Sequence, residues 1–169
     1  MTVTIRNAVD ADLDALIRLN AQAQKLHAQV YPADFRSLTD EGEVGDVFAS
    51  VMRETHHTIL LAQIDDAVAG YAWFEIQDRP QTPFTWAKKR VFLHHICVDC
   101  GHRRLGVGSA LISQVEERVI AGGIAEVALD MWPLNDTAHA FFKSCALKTY
   151  RLFLRKQIVP EGQAQGENV

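Results

Sequence analysis

Residues 103 to 111, RRLGVGSAL, set two arginines ahead of two glycines one residue apart, and an apolar run follows them directly. Gly106 and Gly108 leave the main chain bare where an apolar strand turns into a helix. A helix start offers N–H groups without partners and the positive end of the peptide dipole. Bare backbone lets an anion approach those groups, so the turn reads as a seat for phosphate or pyrophosphate. Ser109 adds a hydroxyl in the first turn, and the guanidinium groups of Arg103 and Arg104 can fork onto phosphate oxygens. Other glycine loops fit less well. No lysine follows Gly108, as a Walker loop requires. Leu111 stands where a dinucleotide fingerprint wants a third small residue. A glycine-rich helix start that holds no ligand stays open as an alternative on these residues alone.

A second group of reactive side chains lies just upstream. His94, His95, Cys97, Cys100 and His102 invite a zinc reading, with Cys97 and Cys100 in CxxC spacing. Against it, a second ligand pair at zinc-finger spacing is missing, and strand alternation puts His94 and Cys97 on opposite faces. A redox dithiol belongs at a helix N-terminus, whereas here a further turn intervenes. No metal is expected. Cys97 reads as core and Cys100 as part of the turn.

These residues need elements to position them. Val3 to Arg6 reads as a short strand, and Asp10 or Asp12 caps a helix carrying Leu13, Leu16, Ile17 and Leu19 that fades near His27. A second helix runs over roughly 40–54. TILLAQI (58–64) and VAGYAWFEI (68–76) form a hairpin about Asp65 and Asp66, and RVFLHHICV (90–98) is a central strand covered on both faces. After the glycine turn a helix runs from Gly106 to Ala121, with Val107, Leu111, Val115 and Val119 on one stripe and Gly122 and Gly123 at its end. AEVALDM (125–131) is a strand, Asn135 to Cys145 a helix, and TYRLFLRKQI (149–158) alternates like a last strand. The order β-α-α-β-β-β-α-β-α-β implies an α/β (α+β) domain with a mixed sheet. It spans residues 1–158, with a polar, disordered tail at 159–169.

With 169 residues, 48% of them hydrophobic and 22% charged, the chain can bury a full core unaided. A net charge of −4 argues against a general nucleic-acid binder and weakly favours a cationic small molecule. Three cysteines and no apolar leader suggest a cytoplasmic setting. No run approaches the ~20 apolar residues of a membrane span.

Read with its flanks, the glycine turn is more specific. Arg103-Arg104-Leu105-Gly106-Val107-Gly108 resembles the [QR]-x-x-G-x-[GA] signature of the GCN5-related N-acetyltransferase (GNAT) superfamily. Ile96 to Val98 lie at the family's distance before it, and the amphipathic helix follows it. Asn135 to Phe142, NDTAHAFF, resembles the family's N-x-x-A-x-x-[FL]-[YF] helix. HAQVYPADF resembles the variable helix-loop over the acceptor site in many bacterial members. The resemblance covers roughly 3–158.

It implies the acyl-CoA N-acyltransferase fold, a mixed, mostly antiparallel sheet with helices on both faces and splayed central strands. It also implies acetyl transfer from acetyl-CoA, a co-substrate, to a small-molecule or peptide amine; a homodimer is one option for the oligomeric state, which the sequence leaves open. The pyrophosphate seat would be Arg103, Arg104, Leu105, Gly106, Val107, Gly108 and Ser109. The pantetheine arm would run along Ile96 and Val98, with an N–H of Ile96 or Cys97 facing the thioester carbonyl. Asn135 would contact the same arm, act as a helix N-cap, or both.

An amine of pKa about 10 must lose a proton before it attacks. Some relatives carry a histidine at the place of His94, which makes it the first candidate base. Glu75, a carboxylate in an apolar strand where burial would raise its pKa, is the second. His95 points to the other face of the strand and ranks below both. Tyr31, Phe35, Trp73 and Trp86, with Phe84, are candidates for the acceptor pocket. One departure matters: Phe142 stands where many members place a tyrosine acid, and Ala146-Leu147 replaces a Gly-Phe pair. That leaves a second reading, a catalytically weak acyl-CoA-binding sensor or assembly subunit.

Overall fold

The computed structural model describes residues 2–37 and 40–158; the tail expected to be disordered lies outside the described residues. Strand β1 (Val3–Asn7) leads through a short 3-10 turn into α1 (Leu13–Val30), three residues longer than the pattern suggested, and α2 (Glu41–Arg53) follows. The Asp40 side chain caps α2 by accepting from the amides of Gly42 and Glu43. Strands β2 (His57–Ile64) and β3 (Ala67–Arg79) form the expected hairpin, with Asp65 and Asp66 both at positive φ, as a two-residue turn of this twist requires. Then come β4 (Lys88–Val98), α3 (Val107–Ala121), β5 (Val127–Ala128) and α4 (Asp136–Ser144).

The sheet order is β1-β2-β3-β4-β5, antiparallel except for the parallel β4–β5 pair. Helices cover both faces. Leu16 and Leu19 of α1 and Phe48 and Val51 of α2 pack on Ile59, Leu61, Tyr71 and Cys97. On the other face the α3 stripe and Phe142 of α4 pack on Leu60, Phe74, Val91 and Leu93.

Three expectations are corrected. The strand over 125–131 pairs only at Val127 and Ala128, with Val91 and Phe92 of β4. Leu129 and Met131 still pack on the core, but off the ladder. The last strand, 149–158, does not form. Alternation needs an open edge to pair with and a face to bury, and Leu152, Phe153 and Leu154 are all exposed, on both parities. The segment is tethered instead by Arg155 to Asp34 at 2.5 Å and by the Lys88 ammonium over the Tyr150 ring. Lastly, β4 carries a bulge. Trp73 pairs with His95 and Phe74 with Leu93, so His94 is the extra residue. Val91 and Leu93 face α3, and so do Ile96 and Val98, while Cys97 faces α1. The shared parity expected for Phe92, His94, Ile96 and Val98 is therefore broken, and His94 and His95 lie on the same face.

Candidate active site

The seat at the glycine turn is built from unpaired amides. Among the described residues the N–H groups of Arg103 through Ser109 find no protein acceptor; Ala110 is the first to do so, donating to Gly106 O at 2.9 Å. Arg104 and Gly106 stand at φ 63° and 83°, which bends the chain around the mouth of α3. The two glycines serve different ends. A Cβ on Gly106 would meet nothing, so its backbone angle is what demands glycine, whereas a Cβ on Gly108 would lie 3.0 Å from the Phe141 ring. Arg103, Arg104, Leu105 and Ser109 are exposed at the rim, and Val107 anchors the turn in the core. Neither arginine has a carboxylate within ion-pair distance among the described residues.

Beyond Phe92, β4 has lost β5 as a neighbour, so its edge opens. The N–H of Asp99 donates to Ala69 O on β3, and alternation from there turns the backbone groups of Val98 and Ile96 toward the opening. Cys97 is turned away. It pairs with Tyr71, its thiol donates to Leu19 O at 3.2 Å, and burial raises that thiol to about 11. Of the two amides proposed to face a carbonyl, Ile96 has the free one. Asn135 caps α4, its side chain accepting from Ala138 N at 3.1 Å.

His94 and Glu75 come together across β3 and β4, two residues along β4 from the last β4–β5 pair. His94 Nε2 donates to Glu75 Oε2 at 3.0 Å, and its ring stacks on Trp73 at 4.8 Å. Burial alone pushes the Glu75 carboxyl up, as its apolar strand suggested. Hydrogen bonds from Gln77 and His94, and the nearby His57 and His94, outweigh burial, so the net shift is downward and the group is an ionised acceptor. An ionised carboxylate only accepts, so Nε2 carries the His94 proton and Nδ1 keeps a lone pair for an incoming proton.

His57 completes a trio of metal-type ligands with Glu75 and His94. The Trp73 indole donates to His57 Nδ1 at 3.1 Å, which places the proton of neutral His57 on Nε2. Both His57 nitrogens are thereby committed. Burial, first among the causes, lowers its pKa and keeps the ring neutral.

His95 occupies a different environment. Asn20 Nδ2 donates to the Tyr71 hydroxyl at 3.2 Å, so Tyr71 donates onward to His95 Nδ1 at 3.3 Å and fixes a proton on His95 Nε2. His95 is solvent-exposed as a residue, and partial desolvation of its ring, together with the neighbouring His94 and His27, lowers its pKa. Tyr71→Phe is expected to release this tautomer. In 15N NMR His95 should show Nε2–H in the parent protein and a larger share of the other tautomer in the variant, where only Asn20 Nδ2, 3.5 Å away, still faces Nδ1, with a stability loss of about 1 kcal/mol for the lost Tyr71 hydrogen bonds. Mixed tautomers in the parent would contradict the lock.

Asp99 ties the approach to the glycine turn onto α1. Its side chain, 13% exposed, accepts from Arg18 at 2.6 Å, Gln22 at 3.1 Å, the Gly101 amide at 2.9 Å and His102 at 3.3 Å. Burial pushes its pKa up, but these donors outweigh burial and hold it well below the usual range. A depressed carboxyl stabilises fully above its unfolded value, about 3.9, and loses that contribution as pH falls through the folded value. Asp99→Asn should lower stability by about 1–3 kcal/mol at neutral pH and flatten the loss of stability seen in the parent below about pH 4. Thermal melts across pH check this; parallel curves would contradict it.

The acceptor candidates divide. Tyr31 and Phe35, 6.5 Å apart, both pack on Trp132, at 4.6 and 4.9 Å, and Phe35 stacks on His27. The Tyr31 hydroxyl accepts from Leu134 N at 2.8 Å, joining the segment after α1 to the one before α4. Trp73 stands apart from these, with His94 and His95. Trp86 and Phe84 project into solvent from the β3–β4 loop and touch neither group. Sequence reasoning missed Trp132, Asn20, Tyr71 and Gln77. Trp132 left one signal, a tryptophan before a proline in a loop; Asn20 and Tyr71 are polar groups whose partners lie on distant elements, and Gln77 joins Glu75 on its own strand to Arg90 on the next.

Residues 14–146 match the family model for the acetyltransferase (GNAT) family. The chain belongs to that family. Among curated proteins, human N-acetyltransferase 8 is 29% identical over 106 residues, covering 63% of this GNAT chain and 45% of the human protein, so the chain spans less than half of that relative. A mutant of the BH1408 protein from Bacillus halodurans superposes with a TM-score of 0.86 at 21% identity, over 92% of this chain and 99% of that one. An aminoglycoside 6'-N-acetyltransferase from Acinetobacter baumannii superposes at 0.71 and 20% identity, over 94% and 99%. At those identities the structures speak for the shared fold, and the mixed sheet flanked by helices is the GNAT architecture. No helix among the described residues is long and apolar enough to cross a membrane.

Proposed function

We propose that this GNAT protein transfers an acetyl group from acetyl-CoA to a primary amine of a small molecule or peptide by direct attack. The observation that carries this reading is the succession of three features along one stretch of chain: a His94–Glu75 pair on β4, an open β4 edge at Ile96 and Val98, and free amides at Arg103–Ser109. The residues fit the co-substrate, which supplies the activated acyl group as a thioester. The turn binds the diphosphate, with Arg103 and Arg104 as a salt-sensitive supplement. The strand edge takes the amide-bearing arm as an added strand, and Asn135 flanks it. Ile96 N–H is placed to polarise the carbonyl. His94 Nδ1 takes the amine proton while Glu75 holds the ring and supports the positive charge it gains.

Phe142 is packed in the core and has no proton to give, so this position supplies no acid, and the thiolate leaves either with a proton from water or unaided. The same residue favours the second reading, an acyl-CoA-binding sensor or assembly subunit. Thermal-shift measurement with acetyl-CoA, then thiol release with a panel of amines, separates them. Stabilisation plus amine-dependent release supports the enzyme, stabilisation without release across the panel supports the sensor, and no stabilisation sinks both.

A further inference from the structure

The sheet face that carries His94 continues past α2 as a polar shelf. Arg90, Phe92 and His94 follow one another along β4, with Arg90 over the Phe92 ring at 5.1 Å and Phe92 edge-on to His94 at 5.1 Å. A hydrogen-bond chain runs beside them. Arg90 Nε donates to Gln77 Oε1 at 3.0 Å, Gln77 Nε2 donates to Glu75 Oε2 at 2.8 Å, and His94 donates to the same carboxylate. Arg90 is thus held at Nε and over a ring, and its two terminal nitrogens have no protein partner among the described residues. A groove of about 550 Å³ opens at the Arg90 end of this row, lined by Gln77, Asp78, Arg79, Arg90 and Arg151 and reaching Glu75, the partner of His94, and His56 at its other end. Of its two carboxylates, Glu75 is occupied by Gln77 and His94, and Asp78 lies 3.9 Å from Lys89. None of the three arginines has an ion-pair partner among the described residues.

We propose that this groove binds an oxyanion of the acceptor, a carboxylate or phosphate, so that the substrate is an amine carrying an anionic group roughly 10 Å from the nitrogen that is acetylated. The span follows from the four residue steps from Arg90 to His94 at about 3.3 Å each, shortened by the bulge and the lean of the side chains. Guanidinium groups suit either anion because their paired donors match both oxygens. A net acidic chain therefore presents a locally basic groove beside its base. The inference rests on the acetyl-transfer reading and narrows its acceptor.

Two matched pairs of probes span this distance: triglycine against triglycinamide, and 6-aminohexyl phosphate against 6-aminohexanol. Equilibrium binding and kcat/KM for each pair are measured in the parent, in Arg90→Gln and in Arg151→Gln. An anionic member favoured by about tenfold or more in the parent, with the ratio falling toward unity in either variant, supports the proposal; the pair that shows it identifies the anion. Equal values for charged and neutral members in the parent overturn it, and so does a preference that both variants retain. Anion binding that depends on these arginines, without turnover of any amine, leaves the groove standing and removes the enzymatic reading instead.

Discussion

His94→Ala is expected to lower kcat/KM for acetyl transfer by about a hundredfold to ten-thousandfold, the range for losing a general base. The rising limb on the acid side of the pH–rate profile should go with it, because that limb reports a base that must be unprotonated to act. Geometry gives the reason. The Glu75 carboxylate fixes the proton on Nε2, and Trp73 fixes the ring plane, so Nδ1 alone is left to accept a proton, on a residue two positions beyond the last β4–β5 pair. Glu75→Gln separates orientation from charge. A neutral amide still bonds to Nε2 but no longer supports imidazolium, so kcat should fall while acetyl-CoA affinity stays. Acetyl-CoA binding in His94→Ala should likewise match the parent, since the diphosphate seat is on another element. A His94→Ala enzyme with an unchanged pH profile would remove this residue from the mechanism and leave His95 or a bound water as the base.

Much of this site could be read from the sequence, and its failures share a cause. The glycine turn, its arginines and the helix behind them are local, and local spacing located all of them. The hairpin at Asp65 and Asp66 was equally legible because turn chemistry involves two residues. The face of His94 was not. A bulge adds one residue to a strand without a glycine or proline to mark it, and in HHIC the two histidines offer no contrast by which to count parity. The net pKa shift of Glu75 was missed for a similar reason: burial could be inferred from YAWFEI, but His94 as a donor depends on cross-strand register, and Gln77, two residues along the same strand, on how its side chain turns. The last strand failed differently. Alternation at Tyr150, Leu152 and Leu154 states what a strand would bury, while β5, only two residues long, leaves that segment no ladder to join.

Gly106→Val should abolish most of the stabilisation that acetyl-CoA confers, without filling the seat. No atom lies within 4 Å of the added Cβ, so the change acts through the backbone alone. At φ 83° an L-residue is strained by roughly 1–2 kcal/mol, more for a β-branched one. The chain relieves that strain by rotating toward negative φ, which swings the amides around Gly106 out of convergence. At a ligand concentration of about 100 Kd the parent gains about 2.7 kcal/mol; a hundredfold weaker site would gain only about 0.4 kcal/mol under the same conditions. Gly108→Ala provides the contrast. Its Cβ presses on the Phe141 ring, so it should cost about 1–3 kcal/mol of packing while keeping the amides aimed and the acetyl-CoA shift largely intact. If Gly106→Val kept the parent's full shift and Gly108→Ala lost it, ligand contact would have to be assigned to the α3–α4 packing rather than to the bent main chain, and the amide seat would be wrong.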